Sequence, residues 1–364
     1  MSVVRFDQIA RECRETFKGS FEGKPIVGLE HIEPYDMLLK NYDVDVETTF
    51  TKSFKKGQIL FGRRRAYQHK ACVATIDGIC SGDITVIEPI EGKVYPDLLP
   101  FIIQNDDFFE HAIKGSNGAL SPRVKWEHMA SFEFDLPSLA EQKVLAEKLW
   151  AAYEVKQSYL KMIAATEEMV KAQFIEMFGD PVSWQTDSSL PSLNDTVNVI
   201  SGFPFDSEEF NAEGVGTPLI RIRDIQRGYS ETFTTEAFDK QYRIKKGELL
   251  IGMDGMFDIA RWQSDEAALN QRVCCLRMKG SENDTFIQYL VQPILKHIEN
   301  GTNATTVKHI STKQINCIRV PNASHEQKTK FAMIANQADK SGFELRKSVD
   351  AIDKVIKSLI NENL

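Results

Sequence analysis

The chain has 364 residues, with 44 Lys and Arg against 52 Asp and Glu, so its formal net charge at pH 7 is −8. Its 42% hydrophobic and 26% charged residues are typical of a folded protein of about two domains, which excludes a disordered chain. The acidic balance argues against indiscriminate binding to nucleic acid or anionic lipid, although it leaves room for a local basic surface. No run approaches the roughly 18 apolar residues that cross a bilayer, and the first residues lack a signal-peptide layout, so we expect a cytoplasmic protein.

The first half begins with strand-rich sequence. Apolar and β-branched runs at 25–32, 54–62 and 82–88 predict short buried strands separated by turns. The run 132–137 predicts a further strand, which Pro137 ends immediately before a helix. Strands mixed with short helical stretches predict an α/β globular domain.

A long helix is predicted next, because residues 139–178 contain no Pro and little turn chemistry. Steps of four and three residues from Leu149 to Met177 give nine positions, of which seven are apolar. Such a narrow apolar seam is typical of a coiled coil. Roughly 40 helical residues span about 60 Å, longer than a domain of this size, so we expect this helix to pair with another helix.

The second half repeats the first half in the same order. Gly57 corresponds to Gly247 at an offset of 190 residues, and the closing Glu141-Gln142 corresponds to Glu326-Gln327. The other matched segments are 25–32 with 218–225, Gly115 with Gly301, and 132–137 with 317–321. With the closing strand and the helix start after it counted as one, these are four markers with similar offsets in a constant order, which indicates an internal duplication.

A second long helix is predicted from His325 to about Leu359, with an apolar seam that only Gly342 weakens. Because each helix follows one domain, a duplicated chain can lay the two helices antiparallel with the domains at opposite ends. The prediction is an α+β protein: two tandem α/β domains joined by two long antiparallel coiled-coil helices, a dumbbell with pseudo-two-fold symmetry. The predicted boundaries are 1–138 and 181–324 for the domains, and 139–180 and 325–364 for the helices.

Familiar signatures of catalytic, cofactor and metal sites are absent from the sequence. It contains no phosphate-binding GxxxxGK[ST] loop, no GxGxxG after a strand, no HExxH and no GxSxG. The six cysteines form neither a CxxC pair nor a zinc spacing, which predicts reduced and mostly buried thiols. One loose nuclease-like pattern exists, since Asp83 and Glu91 could hold Mg²⁺ and Lys93 could steady a water molecule. The pattern is short and degenerate, and a strand followed by an exposed turn is the favoured explanation.

Three segments lack any carboxylate and are rich in side chains that recognise DNA. Residues 62–70 carry three Arg, Gln68 and Lys70 after a buried strand, and residues 114–126 and 301–313 are also acid-free. Arg can bind guanine edges or phosphate, Gln and Asn can pair with adenine, and Ser and Thr can hold phosphate oxygens. Recurrence in both halves favours DNA reading over ordinary solvated loops, whereas a protein scaffold would explain the helices but not these loops.

These features together resemble the DNA specificity subunit of type I restriction-modification systems. The resemblance covers essentially the whole chain and rests on the tandem layout and five motifs. These are the Lys-Gly-(Gln/Glu)-(Ile/Leu)-Leu turn, 62–68 followed by 78–83, 136–142 opening a long helix, 201–205, and 270–273. The helix start at 136–142 is the most specific of them, and its second copy at 320–327 is one residue longer.

The resemblance implies a subunit without catalysis of its own. Each target-recognition domain would read one half of a split double-stranded DNA site, and the coiled coil would set the spacing between the halves. Methyltransferase subunits, two in number, would dock along the helices and carry S-adenosylmethionine. ATP- and Mg-dependent restriction subunits would join that complex.

We therefore assign candidate DNA contacts to each half of the chain. Those for the first half-site are Arg63, Arg64, Arg65, Gln68, Lys70, Asn117, Arg123 and Lys125. Those for the second are Arg221, Arg223, Arg261, Asn303, Thr305, Thr306 and Lys308. No catalytic, cofactor-binding or metal-binding residue is predicted in this chain.

Overall fold

The computed structural model describes residues 2–116, 121–280, 282–301 and 308–364. The chain divides into two compact units, residues 1–161 together with 346–364, and residues 162–345. Both long helices therefore contribute one part to each unit.

Among the described residues, ten strands and three short α-helices precede the first long helix. The strands are β1 (Ser2–Arg5), β2 (Ala10–Cys13), β3 (Pro25–Val27), β4 (Asp43–Val44), β5 (Lys52–Phe54), β6 (Ile59–Gly62), β7 (Ala71–Val73), β8 (Gly78–Cys80), β9 (Ile84–Pro89) and β10 (Glu133–Leu136). The helices are α1 (Leu99–Ile103), α2 (Asp106–Lys114), α3 (Trp126–Ala130) and the long α4 (Leu139–Phe178).

The first unit contains two four-stranded sheets and a separate strand pair. One sheet is antiparallel with the order β2-β9-β6-β7, and the other has the order β4-β3-β8-β5, with β3 parallel to β8. β1 pairs with β10. Phe61 of β6 and the α2 residues Phe108 and Phe109 are fully buried and contact one another through their rings, so α2 is held against the antiparallel sheet.

The second unit has the same arrangement of elements. Its strands are β11 (Val197–Ser201), β12 (Phe210–Asn211), β13 (Thr217–Ile220), β14 (Phe233–Thr234), β15 (Arg243–Ile244), β16 (Leu249–Gly252), β17 (Ile259–Arg261), β18 (Ala267–Leu269) and β19 (Val273–Met278). Its helices are α5 (Leu193–Thr196), α6 (Asp284–Gly301), α7 (Thr312–Asn316) and the long α8 (His325–Asn363).

The strand orders confirm the predicted duplication. The antiparallel sheet β11-β19-β16-β17 corresponds to β2-β9-β6-β7 of the first unit. In the sheet β12-β14-β13-β18-β15, β13 is parallel to β18 just as β3 is parallel to β8. The α+β class predicted from the sequence is therefore present twice.

One predicted strand is nearly absent from the second unit. Residues 317–321 form only an isolated bridge, between Arg319 and Ser192, where the first unit has the four-residue pair β1–β10. The partner segment contains Pro191, whose carbonyl accepts from the Val320 N–H at 2.9 Å but which has no N–H of its own to donate. The ladder therefore stops after one bridge.

The two long helices begin with the same capping arrangement. Ser138 N–H donates to Glu141 Oε2 at 2.9 Å, and Ser324 N–H donates to Gln327 Oε1 at 2.9 Å. Each pair satisfies exposed amides at a helix start, as in a capping box. Gln327 is thus the counterpart of Glu141, which corrects by one residue the sequence match of Glu141-Gln142 with Glu326-Gln327.

Burial along α4 and α8 follows most of the predicted seam. Leu149, Tyr153, Ile163, Val170 and Phe174 of α4 are buried, but Leu160 is 40% exposed, so its predicted burial is wrong. Lys156 Nζ binds Asp353 Oδ1 of α8 at 2.6 Å in the first unit, and the ring of Phe174 contacts that of Phe331 in the second. Each unit therefore contains a contact between its part of α4 and its part of α8.

No helix in the described part of the chain combines the length and apolar character that a membrane crossing requires.

Candidate nucleic-acid interface

The arginine-rich segment of the first unit starts where the buried strand β6 ends. Arg63 N–H donates to the Asp83 carbonyl at 2.9 Å, and the Arg63 carbonyl accepts from Val124 N–H at 2.8 Å. Arg65 N–H donates to the Pro122 carbonyl at 2.9 Å, and Arg65 adopts a left-handed conformation with φ of 55°. The backbone of this segment is therefore fixed on both sides, while the Arg65 side chain is exposed.

A carboxylate holds two of the predicted arginines together. Arg123 donates to Asp83 through Nε at 2.7 Å and through Nη2 at 3.3 Å, and Arg64 Nη1 lies 3.4 Å from Asp83 Oδ2. The hydrogen bond from Arg123 holds the pKa of Asp83 below its usual value. The three residues Arg64, Asp83 and Arg123, called the Asp83 cluster below, carry a net charge of +1 and leave the Arg123 side chain 46% exposed.

The other candidates in the first unit divide into accessible and engaged side chains. Lys125 is exposed and Gln68 is half-buried. Lys70 Nζ donates to the Leu29 carbonyl at 2.6 Å, so this ammonium group has a partner within the fold. Asn117 lies outside the described residues. Arg63 Nε is buried and has no hydrogen-bond partner in the described part of the chain.

The nuclease-like pattern does not assemble into a site. Asp83 precedes β9 and Glu91 follows it, so the six residues of this strand separate the two carboxylates by roughly 20 Å. Asp83 is bound by Arg64 and Arg123. Among the described residues, no group of three His, Cys, Asp or Glu side chains could hold a metal ion. The alternative of a metal-dependent endonuclease built on Asp83, Glu91 and Lys93 is therefore wrong.

The second unit fixes the corresponding segment with the same backbone hydrogen bonds. Met253 N–H donates to the Arg272 carbonyl at 2.8 Å, and the Met253 carbonyl accepts from Ile310 N–H at 2.9 Å. Asp254 pairs with His309 in an isolated antiparallel bridge, as Arg64 pairs with Arg123. The frame that carries the predicted contacts is thus shared by both units.

A second charged cluster occupies this frame. Asp254 Oδ1 lies 2.5 Å from His309 Nδ1, and Asp254 Oδ2 lies 3.5 Å from Arg272 Nε. These three residues are called the Asp254 cluster below. The side chains of Arg272 and His309 are 57% and 46% exposed. Arg272 lies in the 270–273 motif, whose polar side chains could equally reach DNA bases or cap a strand edge, and His309 lies in the acid-free segment 301–313, but neither is among the contacts predicted above.

Two predicted contacts of the second unit have structural partners instead. Arg261 donates to Asp284 Oδ2 at 2.5 Å and to Thr285 Oγ1 at 2.9 Å, which ties β17 to the start of α6. Burial raises the pKa of Asp284, but the hydrogen bond and the positive charge of Arg261, together with backbone hydrogen bonds, outweigh burial and lower that pKa overall. Lys308 Nζ donates to the Glu299 carbonyl near the end of α6 at 2.5 Å. Arg261 and Lys308 therefore stabilise the frame.

The remaining candidates of the second unit follow β13. Arg221 and Arg223 are exposed, and Arg223 Nη2 donates to Thr232 Oγ1 at 3.3 Å. The predicted contacts Asn303, Thr305 and Thr306 lie outside the described residues.

The 201–205 motif has a steric basis in the second unit. A Cβ atom on Gly202 would lie 2.0 Å from the Asn270 carbonyl oxygen, so only glycine fits there. Phe203 N–H donates to the Leu269 carbonyl and its own carbonyl accepts from Gln271 N–H, both at 2.8 Å. This contact fixes residues 269–271 immediately before Arg272 of the Asp254 cluster.

Comparison with known proteins shows what this arrangement resembles. Residues 187–350 match the family model of the type I restriction modification DNA specificity domain. The chain is similar in part to specificity subunits of type I restriction enzymes. It is 35% identical over 131 residues to the type I restriction enzyme EcoBI specificity subunit of Escherichia coli, covering 36% of this chain and 28% of that protein. It is 24% identical over 201 residues to the EcoDI specificity subunit of the same organism, covering 53% of this chain and 44% of that protein.

Solved structures of this specificity family share the fold at low sequence identity. The type I restriction-modification S subunit from M. genitalium superposes with a TM-score of 0.56 at 14% identity, covering 99% of this chain and 94% of that chain. A chain from a study of complex assembly and conformational transition of the type I R-M system gives 0.53 at 15% identity, covering 100% and 97%. The matched segments span less than half the length of the two curated relatives.

Proposed function

We propose that this chain is a sequence-specific DNA-binding specificity subunit of a type I restriction-modification complex. In this proposal the regions 1–138 and 181–324 are target-recognition domains, and each reads one half of a bipartite site. The observation that carries the proposal is that one backbone frame, present in both units, displays exposed cationic side chains in different combinations. A shared frame with different side chains suits two readers of different sequences.

The proposed contacts combine affinity and sequence reading. In the first unit they are Arg63, Arg64, Arg65, Gln68, Arg123 and Lys125, together with Asn117. In the second unit they are Arg221 and Arg223, together with Asn303, Thr305 and Thr306. Guanidinium groups bind phosphates or the guanine edge, and amide side chains suit adenine. Because Lys70, Arg261 and Lys308 already bind groups within the fold, we now propose a supporting role for them.

The chain is proposed to recruit catalysis rather than perform it. Two methyltransferase subunits carrying S-adenosylmethionine would modify the recognised site, and ATP- and Mg-dependent restriction subunits would join them in the cytoplasm. The match of residues 187–350 to the specificity domain and the similarity to specificity subunits support this division of labour. A fixed gap between two short half-sites would strengthen binding, because one bound domain raises the effective concentration of the other domain at its half-site.

The decisive experiment maps methylation directed by the intact complex. The chain is co-expressed with its methyltransferase subunit, and methylated bases are located across genomic DNA by single-molecule sequencing. We expect a split motif with a fixed gap. Replacing Arg64 and Arg65 with Ala should relax or abolish reading of the first half by roughly 10- to 100-fold, because a bidentate base contact contributes about 1–3 kcal/mol of discrimination.

A matched control tests whether removal of any exposed positive charge would impair reading of the first half-site. Lys56→Ala removes an exposed positive charge from the turn before β6, at the opposite end of that strand from Arg64. We expect this variant to leave both halves of the motif unchanged. Methylation that has no split motif, or that ignores the arginine substitutions, would contradict the proposal. A complex whose DNA affinity does not depend on salt would favour the protein-scaffold alternative, because phosphate contacts release counterions.

A further inference from the structure

The two charged clusters occupy the same three positions of the shared frame. The carbonyls of Asp83 and Arg272 each accept the backbone N–H of the residue that follows the end of β6 or β16. The next residue along, Arg64 or Asp254, forms the isolated bridge to Arg123 or His309. The first unit therefore fills the positions with Arg, Asp and Arg, and the second fills them with Asp, Arg and His.

The acidic residue thus occupies a different one of the three positions in each unit, and the other two positions hold basic residues in both. In the first unit the acid follows β8, and it binds cations from the other two positions. In the second unit the acid follows β16, and it binds Arg272 and His309. The positive groups are consequently displayed from different positions of an otherwise equivalent backbone.

We propose that Arg272 and His309 contact DNA in the second half-site, and that Asp83 and Asp254 are positioning residues that orient the basic side chains of their clusters. This inference rests on the proposed DNA-reading function and extends it to Arg272, which the sequence left open between a base contact and a strand-edge group, and to His309 of the acid-free segment 301–313. The acidic side chain stands at a different position of the frame in each unit, and the basic side chains fill the other two positions. The two units would therefore read different DNA base pairs from the same backbone frame.

The geometry of Arg272 suits contact with a ligand. Its Nε lies 3.5 Å from Asp254 Oδ2, and in the part of the chain that the structure describes Nη1 and Nη2 make no hydrogen bond. Its side chain is 57% exposed. A guanidinium held through Nε keeps its two terminal nitrogens available for the paired acceptors of a guanine edge or a phosphate.

Stability alone is a weak reason for these clusters. Ion pairs between half-exposed side chains contribute little to folding, because solvent screens them and the side chains lose freedom. A carboxylate that orients two basic side chains before DNA binds instead lowers the conformational entropy that these side chains lose on binding. His309 adds a positive charge only when it is protonated, whereas its counterpart Arg123 is always charged.

The test exchanges the pattern of one cluster for that of the other. The triple variant Asp254→Arg, Arg272→Asp, His309→Arg gives the second unit the residues of the first, and methylation is mapped with the intact methyltransferase complex. We expect a changed base preference in the second half of the motif, with the first half and the gap unchanged. An unaltered second half in a complex that still methylates would overturn the inference.

Conservative variants keep the inference testable if the triple variant does not fold. Arg272→Lys retains the positive charge beside Asp254 but loses the planar pair of terminal nitrogens. Asp254→Asn removes the anionic partner of Arg272 and His309. Arg272→Lys should lower discrimination in the second half by roughly 10- to 100-fold while the salt dependence of DNA binding stays the same. Asp254→Asn should lower it less and leave first-half reading intact.

The outcomes also separate this inference from the proposed function. A wild-type complex that methylates no split motif would defeat the proposed function itself. A split motif that survives Arg272→Lys and Arg272→Ala with the same second half would defeat only the assignment of Arg272. Control substitution of Arg227, an exposed arginine of the same unit that lies outside the cluster, should leave the motif unchanged.

Discussion

Burial controls the chemistry of the cysteine thiols in this protein. Cys13, Cys72, Cys80, Cys274 and Cys275 are buried, as the absence of paired cysteine motifs predicted. Loss of solvation raises the pKa of Cys72 and of Cys274 to about 12. The sixth thiol, Cys317, is exposed between α7 and the bridge at Arg319.

We predict that iodoacetamide modifies Cys317 alone in the native protein near pH 8. A pKa of about 12 leaves Cys72 and Cys274 with a thiolate fraction about a thousandfold below that of an ordinary thiol, and burial also blocks access. Intact-mass spectrometry should show one adduct on the folded chain and six in denaturant. Cys317→Ser should show none when folded, and modification of a second native thiol would refute the prediction.

The direction of a side chain limits what residue type can predict about the candidate site. Arg261 and Lys308 lie in segments that carried the right chemistry for DNA, yet they bind Asp284 and the Glu299 carbonyl. Arg261 and Asp284 are 23 residues apart in the chain, so their contact depends on the packing of α6 against β17. The sequence could place cations near the right loops, but it could not say which of them the fold had already engaged.

At the scale of elements, the long helices were predictable because their signal is local. An apolar residue every three or four positions and a capping box define a helix without knowledge of its partners. The exposed Leu160 shows the limit of this signal, since periodicity identifies a face but not whether another element covers it. The predicted closing strand of the second unit is reduced to a single bridge for a related reason. Its partner segment contains Pro191, which has no N–H to continue the ladder.

We predict that the aromatic contacts at the end of α4 hold the second unit together. The Phe174 ring is buried and contacts the rings of Phe286 of α6 and Phe331 of α8. Phe174→Ala should lower the free energy of unfolding by about 3–5 kcal/mol, since it leaves a cavity among three helices. Urea denaturation followed by circular dichroism measures this loss.

A neighbouring residue provides the control for that substitution. Ile175 follows Phe174 on the same helix but is 51% exposed. Ile175→Ala should change the free energy of unfolding by no more than about 0.5 kcal/mol, as surface substitutions usually do. Equal losses for the two variants would contradict the prediction, because the loss would then not depend on burial of the Phe174 ring.

At the scale of the whole molecule, duplication was the most informative property of the sequence. Matching segments in a constant order predicted two similar units, and the parallel pairs β3–β8 and β13–β18 show how similar they are. The sheet orders themselves were beyond prediction, because β3 and β8 are about 50 residues apart and their pairing carries no local signal. The permuted clusters were hidden for the same reason, since each joins three distant segments.

The last prediction concerns the proposed role of α4 and α8 in setting the gap between half-sites. Inserting one heptad after Lys161 in α4 and one before Arg346 in α8 keeps the apolar seam in register while lengthening both helices by about 10 Å. We expect the gap in the methylated motif to grow by roughly three base pairs, because DNA rises about 3.4 Å per base pair, with both half-sites unchanged. Methylation mapping of the intact complex measures the gap.

A heptad inserted into α4 alone is the control, because it misaligns the paired seams and should reduce methylation at every gap. If the doubly lengthened complex methylates the original motif with its original gap, the spacing is set elsewhere and the long helices serve only to hold the two units together.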